Sequence, residues 1–281
     1  MSIADVLQDA GIRLVAVSDT PRLDAEALLT HVLNKPRSYL YAWPEQTLNS
    51  NQSRHFAALV ERRLSGEPIA YILGQREFWS LELIVTPATL IPRPETELLV
   101  ELALERIPQS GGMRMADLGT GSGAIALAIA KERADVEIIA TDTSADALAI
   151  ARLNARRLNI RNVIFRQGDW YNALEKNQRF HLIVSNPPYV AANDPYLKAL
   201  RFEPATALMA GSDGLDAIRN LIAEVMGFLQ PDGSLLLEHG CEQGRQVQEL
   251  LRTRGFIGVQ SYRDAAGKDR VTGGRRPLQE T

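Results

Sequence analysis

From Met113 to the end of the chain, short apolar runs alternate with helical patterns, and this alternation restricts the fold more than any other feature. Arg114-Met115-Ala116-Asp117 leads into glycines and then a helical stretch from Ala124 to Lys131. Val136 to Ala140 leads to Asp142 and a helix from Ser144 to Leu158. Val163-Ile164-Phe165 precedes Gly168-Asp169-Trp170, and Leu182-Ile183-Val184 forms a fourth run. Beyond it come a helix from Gly214 to Leu229, a turn at Pro231-Asp232-Gly233 and a strand from Ser234 to Leu237. A helix through Leu250 and Leu251 follows, with final strands at Phe256 to Val259 and near Arg270-Val271. Parallel strands need a crossover between them, and runs apolar on both faces need cover on both. Repeated βα units therefore predict an α/β protein, a parallel three-layer sheet with right-handed connections.

The first seventy or so residues lack that signature and read as helices. Ile3, Val6, Leu7 and Ala10 share one helical face, and Gly11 is placed to end that turn. Thr20-Pro21 has the form of an N-cap followed by proline at the first helical position, and Pro36 would stop that helix. Phe56, Leu59, Val60 and Leu64 mark a third helix ending at Gly66. Glu77 to Trp79 and Leu81 to Val85 read as a hairpin around Ser80, and Ile91 to Glu97 as a proline-stiffened loop entering a helix. The expected division is a helical domain over 1–73, a β-hairpin linker over 74–94 and a catalytic domain over 95–281.

The chain has 281 residues, 45% of them apolar, enough for one large domain or two. Its formal charge of −3 gives no basic footprint for nucleic acid. With Cys241 as the only cysteine, no intrachain disulfide can form, and no metal-ligand spacing is visible. No signal peptide or membrane-length apolar run is present. The expectation is a cytoplasmic monomer without membrane or direct nucleic-acid partners.

Chemistry is expected where the fourth strand ends, at Ser185-Asn186-Pro187-Pro188-Tyr189. Two consecutive prolines lack N–H donors and cannot continue a sheet, so their carbonyls are available to a ligand. A polar amide, bare carbonyls and an aromatic ring are thus offered at the carboxyl edge, where open α/β sheets bind ligands. A second signal is Asp117-Leu118-Gly119-Thr120-Gly121-Ser122-Gly123, which leaves the first strand for a helix N-terminus. By itself it is ambiguous. Gly119, Gly121 and Ala124 also fit the dinucleotide fingerprint, with Asp142 at the distance of a ribose-binding acid. Asp117, two residues before the first glycine, favours a cationic ligand, and Gly123 permits packing on backbone without a pyrophosphate cradle. S-adenosylmethionine meets those conditions. Asp142 can accept from both ribose hydroxyls, and Asp169-Trp170 offers a carboxylate and a flat surface to the adenine.

Together, Ile91-Pro92-Arg93-Pro94-Glu95-Thr96-Glu97, Asp117 to Gly123 and Ser185 to Tyr189 resemble the bacterial protein-(glutamine-N5) methyltransferases of peptide-chain release factors. Gly74 to Trp79, Glu238-His239-Gly240 and Arg263-Asp264 extend the likeness over most of the chain. Leu208-Met209-Ala210-Gly211 departs from it, standing where relatives more often carry a Gly-Gly pair. The resemblance implies a Rossmann-like class I methyltransferase sheet, mostly parallel with its last strand antiparallel, behind a helical bundle and a hairpin. It also implies S-adenosylmethionine as methyl donor, S-adenosylhomocysteine as product, and the glutamine of a Gly-Gly-Gln loop in a release factor as substrate. Asn186, Pro187 and Tyr189 are then the catalytic candidates, with Pro188 beside them on the substrate. Asp117, Gly119, Thr120, Gly121, Ser122, Gly123, Asp142, Asp169, Trp170 and Asn186 would hold the cosubstrate. His181 and His239 are expected to be structural.

Three other functions compete. An adenine-N6 methyltransferase acting on nucleic acid shares Asn-Pro-Pro-Tyr but needs a basic face. A glutamine methyltransferase of a ribosomal protein usually carries Arg-Ser-Pro in place of Arg93-Pro94. A nicotinamide dehydrogenase has no use for Asn186 to Tyr189.

Overall fold

A computed structural model describes residues 1–108 and 112–278; the six remaining residues fall inside the expected catalytic domain and lie outside the described residues. The chain forms two compact units, Met1–Gln75 and Arg76–Thr281.

In the first unit, five helices surround a core that includes Ile3, Leu7, Leu14, Leu28, Leu29 and Val60. They are α1 (Ile3–Leu14), α2 (Pro21–Leu33), α3 (Arg37–Ala42), α4 (Ser50–Leu64) and α5 (Ile69–Leu73). Reciprocal side-chain caps open α1, through Ser2 and Asp5, and α4, through Asn49 and Gln52. Helix α1 runs through Gly11 instead of ending there, because Leu14, one turn beyond Ala10, continues the buried face. Thr20 makes no side-chain cap, and α2 stops at Asn34, which takes the left-handed conformation two residues before Pro36. Helices α3 and α5 span 6 and 5 residues, too short for periodicity to reveal.

The second unit begins with the hairpin β1 (Gln75–Phe78) and β2 (Leu81–Ile84). Its turn holds Trp79 and Ser80 at φ +51° and +56°, the primed geometry that matches strand twist. A short 3-10 turn at Pro94–Thr96 then enters α6 (Glu97–Glu105). The alternating part follows as β3 (Arg114–Leu118), α7 (Ala124–Glu132), β4 (Glu137–Asp142), α8 (Ala145–Arg157), β5 (Val163–Gln167) and β6 (Phe180–Ser185). It ends with α9 (Asp216–Glu224), β7 (Leu229–Glu238), α10 (Gly244–Thr253), β8 (Ile257–Arg263) and β9 (Asp269–Arg275).

Among the described residues, seven strands form one sheet in the order β5-β4-β3-β6-β7-β9-β8. Neighbouring strands from β5 to β7 pair in parallel, and β9 runs antiparallel to both β7 and β8. Alternation sends Met115, Leu182, Val184 and Leu236 to one apolar layer, and Ala116, Leu118, Ile183, Leu235 and Leu237 to the other. Pro231 to Gly233 lie within β7: the register steps from Phe180 opposite Leu229 to Leu182 opposite Ser234. The turn expected there is therefore a bulge in a longer strand.

One buried side chain ties three segments of this unit together. Asn154 of α8 accepts from the Ile84 amide at 2.8 Å and donates to the carbonyls of Ile84 at 3.0 Å and Ser122 at 2.9 Å. It thereby joins the hairpin to the glycine loop. Removing it leaves peptide groups without partners, which costs more than the bonds alone contribute. Asn154→Ala is expected to lower unfolding stability by about 2–4 kcal/mol. A urea midpoint equal to that of the parent would show that the three bonds contribute nothing.

Candidate active site

Strand β3 is flanked by β4 on one side and β6 on the other, so the chain's crossovers leave it in opposite directions. A crevice opens at such a point beyond the carboxyl ends of the strands. Here it holds a cavity of about 260 Å³ reached by the loops after β3, β4, β5 and β6.

The loop after β3 is shaped by Gly119, Gly121 and Gly123 at φ +78°, +56° and +86°, values that other residues rarely adopt. Its amides are anchored to the next strand: Gly119 and Thr120 donate to the Thr141 carbonyl at 2.9 and 2.8 Å. Asp142 completes the anchor, accepting from Gly121 N–H at 2.9 Å through one oxygen and from Ser144 N–H at 2.9 Å through the other. It lines the cavity, and each oxygen keeps a lone pair for a ligand. A Cβ at position 119 would stand 3.1 Å from the Trp170 ring, so glycine there lets the ring close over the loop.

Two expected acids are placed differently. Asp169 is exposed at the head of the short turn Trp170–Ala173 and is not on the cavity wall. Asp117 is fully buried behind the loop, where it accepts from the Thr120 hydroxyl at 2.6 Å. Burial pushes its carboxyl up to about 7, against hydrogen bonds from Thr120 and the Ala126 amide and with the Asp142 charge adding to the rise. Thr120 and Ser122 line the cavity, whereas Gly123 heads α7 beneath it.

Asn186 follows β6 and borders both this cavity and a second one of about 700 Å³. Pro188 faces the first cavity, and Pro187 and Tyr189 the second. The Asn186 Nδ2 donates to Thr96 Oγ1 at 3.2 Å, which leaves Oδ1 buried with no hydrogen-bond partner. Buried polar atoms are ordinarily paired, and this acceptor without a protein partner borders both cavities. Tyr189 packs inward with its hydroxyl 3.5 Å from Glu238 Oε1, and burial raises its phenol well above the usual range.

Residues without a recognised role in the sequence stand around the site. Glu203 is buried and accepts from the Ile91 amide at 3.0 Å and from the Arg93 guanidinium, clasping the proline-rich loop to the segment after Tyr189. Gln243 donates to the Tyr189 carbonyl at 3.1 Å. The Leu208–Gly211 segment pairs back on Val190, with Val190 N–H donating to Leu208 O at 2.8 Å and Ala210 N–H to Val190 O at 3.0 Å. Thr96 and Glu238 sit in stretches that carry the family resemblance, the one signal that singled them out. Both nearby histidines are structural: His181 accepts from Arg114 N–H at 3.0 Å, and His239 is buried against Gly240 O and Thr272 Oγ1 at 2.8 and 2.7 Å.

Asp117 makes stability depend on pH. Its pKa is raised on folding, so the folded chain keeps a proton that the unfolded chain loses. Stability attributable to this group is full below about pH 4 and is lost as pH rises toward 7. Asp117→Asn is expected to stabilise the chain by on the order of 2–4 kcal/mol at pH 8, with the gain vanishing near pH 4. Equal denaturation midpoints at pH 8 would contradict that origin.

Residues 5–74 match the family described as PrmC N-terminal domain, and residues 95–203 match the methyltransferase small domain. The release factor glutamine methyltransferase of Coxiella burnetii is 51% identical over 98% of this chain and 99% of its own length. Its counterpart from Escherichia coli is 48% identical, covering 94% of this chain and 95% of the relative. At the level of fold alone, the chain is similar to the 16S rRNA N2 G1207 methyltransferase of T. Thermophilus, solved in complex with AdoMet and guanosine. That alignment has a TM-score of 0.55 at 19% identity and covers 72% of this chain and 49% of the other. Near-identical length and about half of all residues shared across the whole chain place it beyond a common fold: it belongs to the release factor glutamine methyltransferases.

Proposed function

We propose that this enzyme transfers a methyl group from S-adenosylmethionine to the side-chain amide nitrogen of the Gly-Gly-Gln glutamine in peptide-chain release factors. The observation that carries the reading is Asn186, whose buried, unpaired Oδ1 stands on the wall common to both cavities.

The first cavity fits the cosubstrate. Among the described residues no Lys, Arg or His lines it, whereas Asp142 and Asp146 do, so a pyrophosphate finds no counter-charge and a cation finds two. This argues against a dinucleotide. Asp142 can accept from ribose hydroxyls, and Gly121, with no atom within 4 Å of where its Cβ would be, gives a ligand direct access to the loop. Trp170 supplies the flat wall, and Asp117 holds the loop in shape from beneath through Thr120. S-adenosylmethionine, when bound, supplies a methyl group made electrophilic by its positive sulfur.

The second cavity suits a polypeptide more than a nucleic acid. Glu95, Asp194, Asp213, Glu238 and Glu242 line it against Arg93 and Arg270, and both arginines are paired, with Glu203 and Asp264. Phosphates would meet a net negative wall. An amide nitrogen is a weak nucleophile because its lone pair is delocalised into the carbonyl. Asn186 Oδ1 and the Pro187 carbonyl can accept its two N–H groups and turn it toward the first cavity, with Tyr189 packing on the amide plane. A neutral acceptor serves here, since a carboxylate beside a sulfonium would stabilise the ground state as well. Orientation in a water-poor site supplies most of the acceleration.

The helical domain, residues 1–73, is proposed as the docking module for the release factor, with 74–94 as linker and 95–281 as the catalytic domain. A glutamine side chain offers few atoms for selection, so specificity needs contacts remote from it. Ile12, Val15 and Trp43 remain exposed on that first unit and are suited to such contacts. Both cavities are built within one chain, as a monomeric enzyme requires. A lone exposed Cys241 is consistent with the cytoplasm. Among the described residues no helix is long and apolar enough to cross a membrane.

With labelled S-adenosylmethionine and a release factor, mass spectrometry should place one methyl on the Gly-Gly-Gln glutamine. Asn186→Ala should slow single-turnover methylation by about 10²–10³, with cosubstrate affinity changed far less. Parent-rate turnover by that variant would remove Asn186 from the mechanism. A chain starting near Leu73 should still bind S-adenosylmethionine but methylate the intact factor far more slowly, and equal specificity constants would exclude the docking role.

A further inference from the structure

We propose that Glu203 is a positioning residue for the methyl donor: its carboxylate fastens together two segments that wall the first cavity from outside the sheet, and so sets how long donor and product stay bound. The inference rests on reading that cavity as the S-adenosylmethionine site.

The first cavity has walls of two kinds. Gly121, Asp142, Trp170 and Asn186 come from loops at the ends of β3 to β6, where the sheet fixes their origin. Much of the remaining lining comes from two other segments, residues 88–92 before the 3-10 turn and residues 204–207 in the long connection from β6 to α9. Neither segment is paired in the sheet. Connections of that kind are ordinarily among the first parts of a protein to open.

Glu203 joins the two. Its Oε2 accepts from the Ile91 amide at 3.0 Å and its Oε1 accepts from the Arg93 guanidinium, across 112 and 110 residues of sequence. The two donors flank Pro92, which lines the cavity and has no N–H of its own. Pro204, the residue after the acceptor, lines it from the other segment. The Glu203 side chain is 2% exposed and uses both oxygens, so parting the segments strips a buried charge of its partners until water reaches it. Glu203 does not itself line the cavity, and it acts on a ligand through the segments it holds. A ligand seated against both leaves faster once the carboxylate lets go. Glutamine is the informative replacement. It keeps the size and one acceptor oxygen, but whichever way its amide turns, an NH₂ group meets one of the two donors.

The test uses the full chain and needs no release factor. Release of S-adenosylhomocysteine, followed by tryptophan fluorescence in stopped flow, should be about ten- to a hundredfold faster in Glu203→Gln and Arg93→Met than in the parent, the range expected for losing charge-assisted hydrogen bonds. Arg93→Lys keeps a charged donor and should restore most of the residence time. Hydrogen exchange in the ligand-free chain supplies the second readout. E203Q should speed exchange in peptides covering residues 88–93, and R93M in peptides covering residues 203–208, with β3 and β4 unchanged. Parent-like release in E203Q and R93M, equal release in R93K and R93M, or faster exchange confined to the substituted segment would overturn the positioning role while leaving cosubstrate binding intact. A parent chain that binds no S-adenosylmethionine would bring down the reading of the cavity, and this inference with it.

Discussion

Everything at the site depends on how β3 sits in the sheet. Its pairing with β4 on one edge and β6 on the other puts Asp117 opposite Ala140 and Val184 in register. The loops that leave these strands consequently begin at the same height. Ser185 reinforces the register by donating to the Leu118 carbonyl at 2.6 Å, holding the last residues of β3 and β6 together. Shifting either strand by one residue would exchange the two apolar layers. The cost of such a slip is what keeps the glycine loop and Asn186 on either side of one narrow gap.

Two buried carboxyls at strand ends follow from the same geometry. Asp117 is the penultimate residue of β3, behind the first cavity, and Glu238 ends β7 on the wall of the second. Both are fully enclosed and both are pushed up to about 7 by burial. A core built only for stability would hold neither. Among the described residues of the sheet, these two buried carboxyls stand at the carboxyl ends of its strands, next to the two cavities.

Much of this was legible in the sequence because it obeys local rules. Strand and helix periodicity survives in the string of residues, and so do three glycines that need left-handed backbone and two prolines that end β6. What escaped notice is made by tertiary contact. Glu203 reaches Ile91 across 112 residues, and Thr96 meets Asn186 across 90. No spacing rule links residues so far apart. Helix ends in the first unit also resisted: Gly11 is harmless inside α1 because the buried face continues past it, and Asn34 supplies the stop that Pro36 was expected to give. Asp117 illustrates a subtler limit. Its place two residues before a glycine was plain, yet whether it looks into the cavity or supports the loop from behind depends on the turn that Thr120 makes around it.

The lone acceptor on Asn186 also bears on how a methylated glutamine leaves. With Nδ2 committed to Thr96, the residue offers a single oxygen, and on the proposed reading the Pro187 carbonyl offers the other. A primary amide has two N–H groups and satisfies both. Transfer breaks the sulfur–methyl bond and leaves a cationic N-methyl amide that gives one N–H proton to solvent, so the product keeps one N–H and one acceptor loses its partner. On that reading the modified side chain is held by one hydrogen bond fewer than the one that entered. Product departure on that reading follows from hydrogen-bond counting, because the side chain that leaves has one fewer partner than the one that entered.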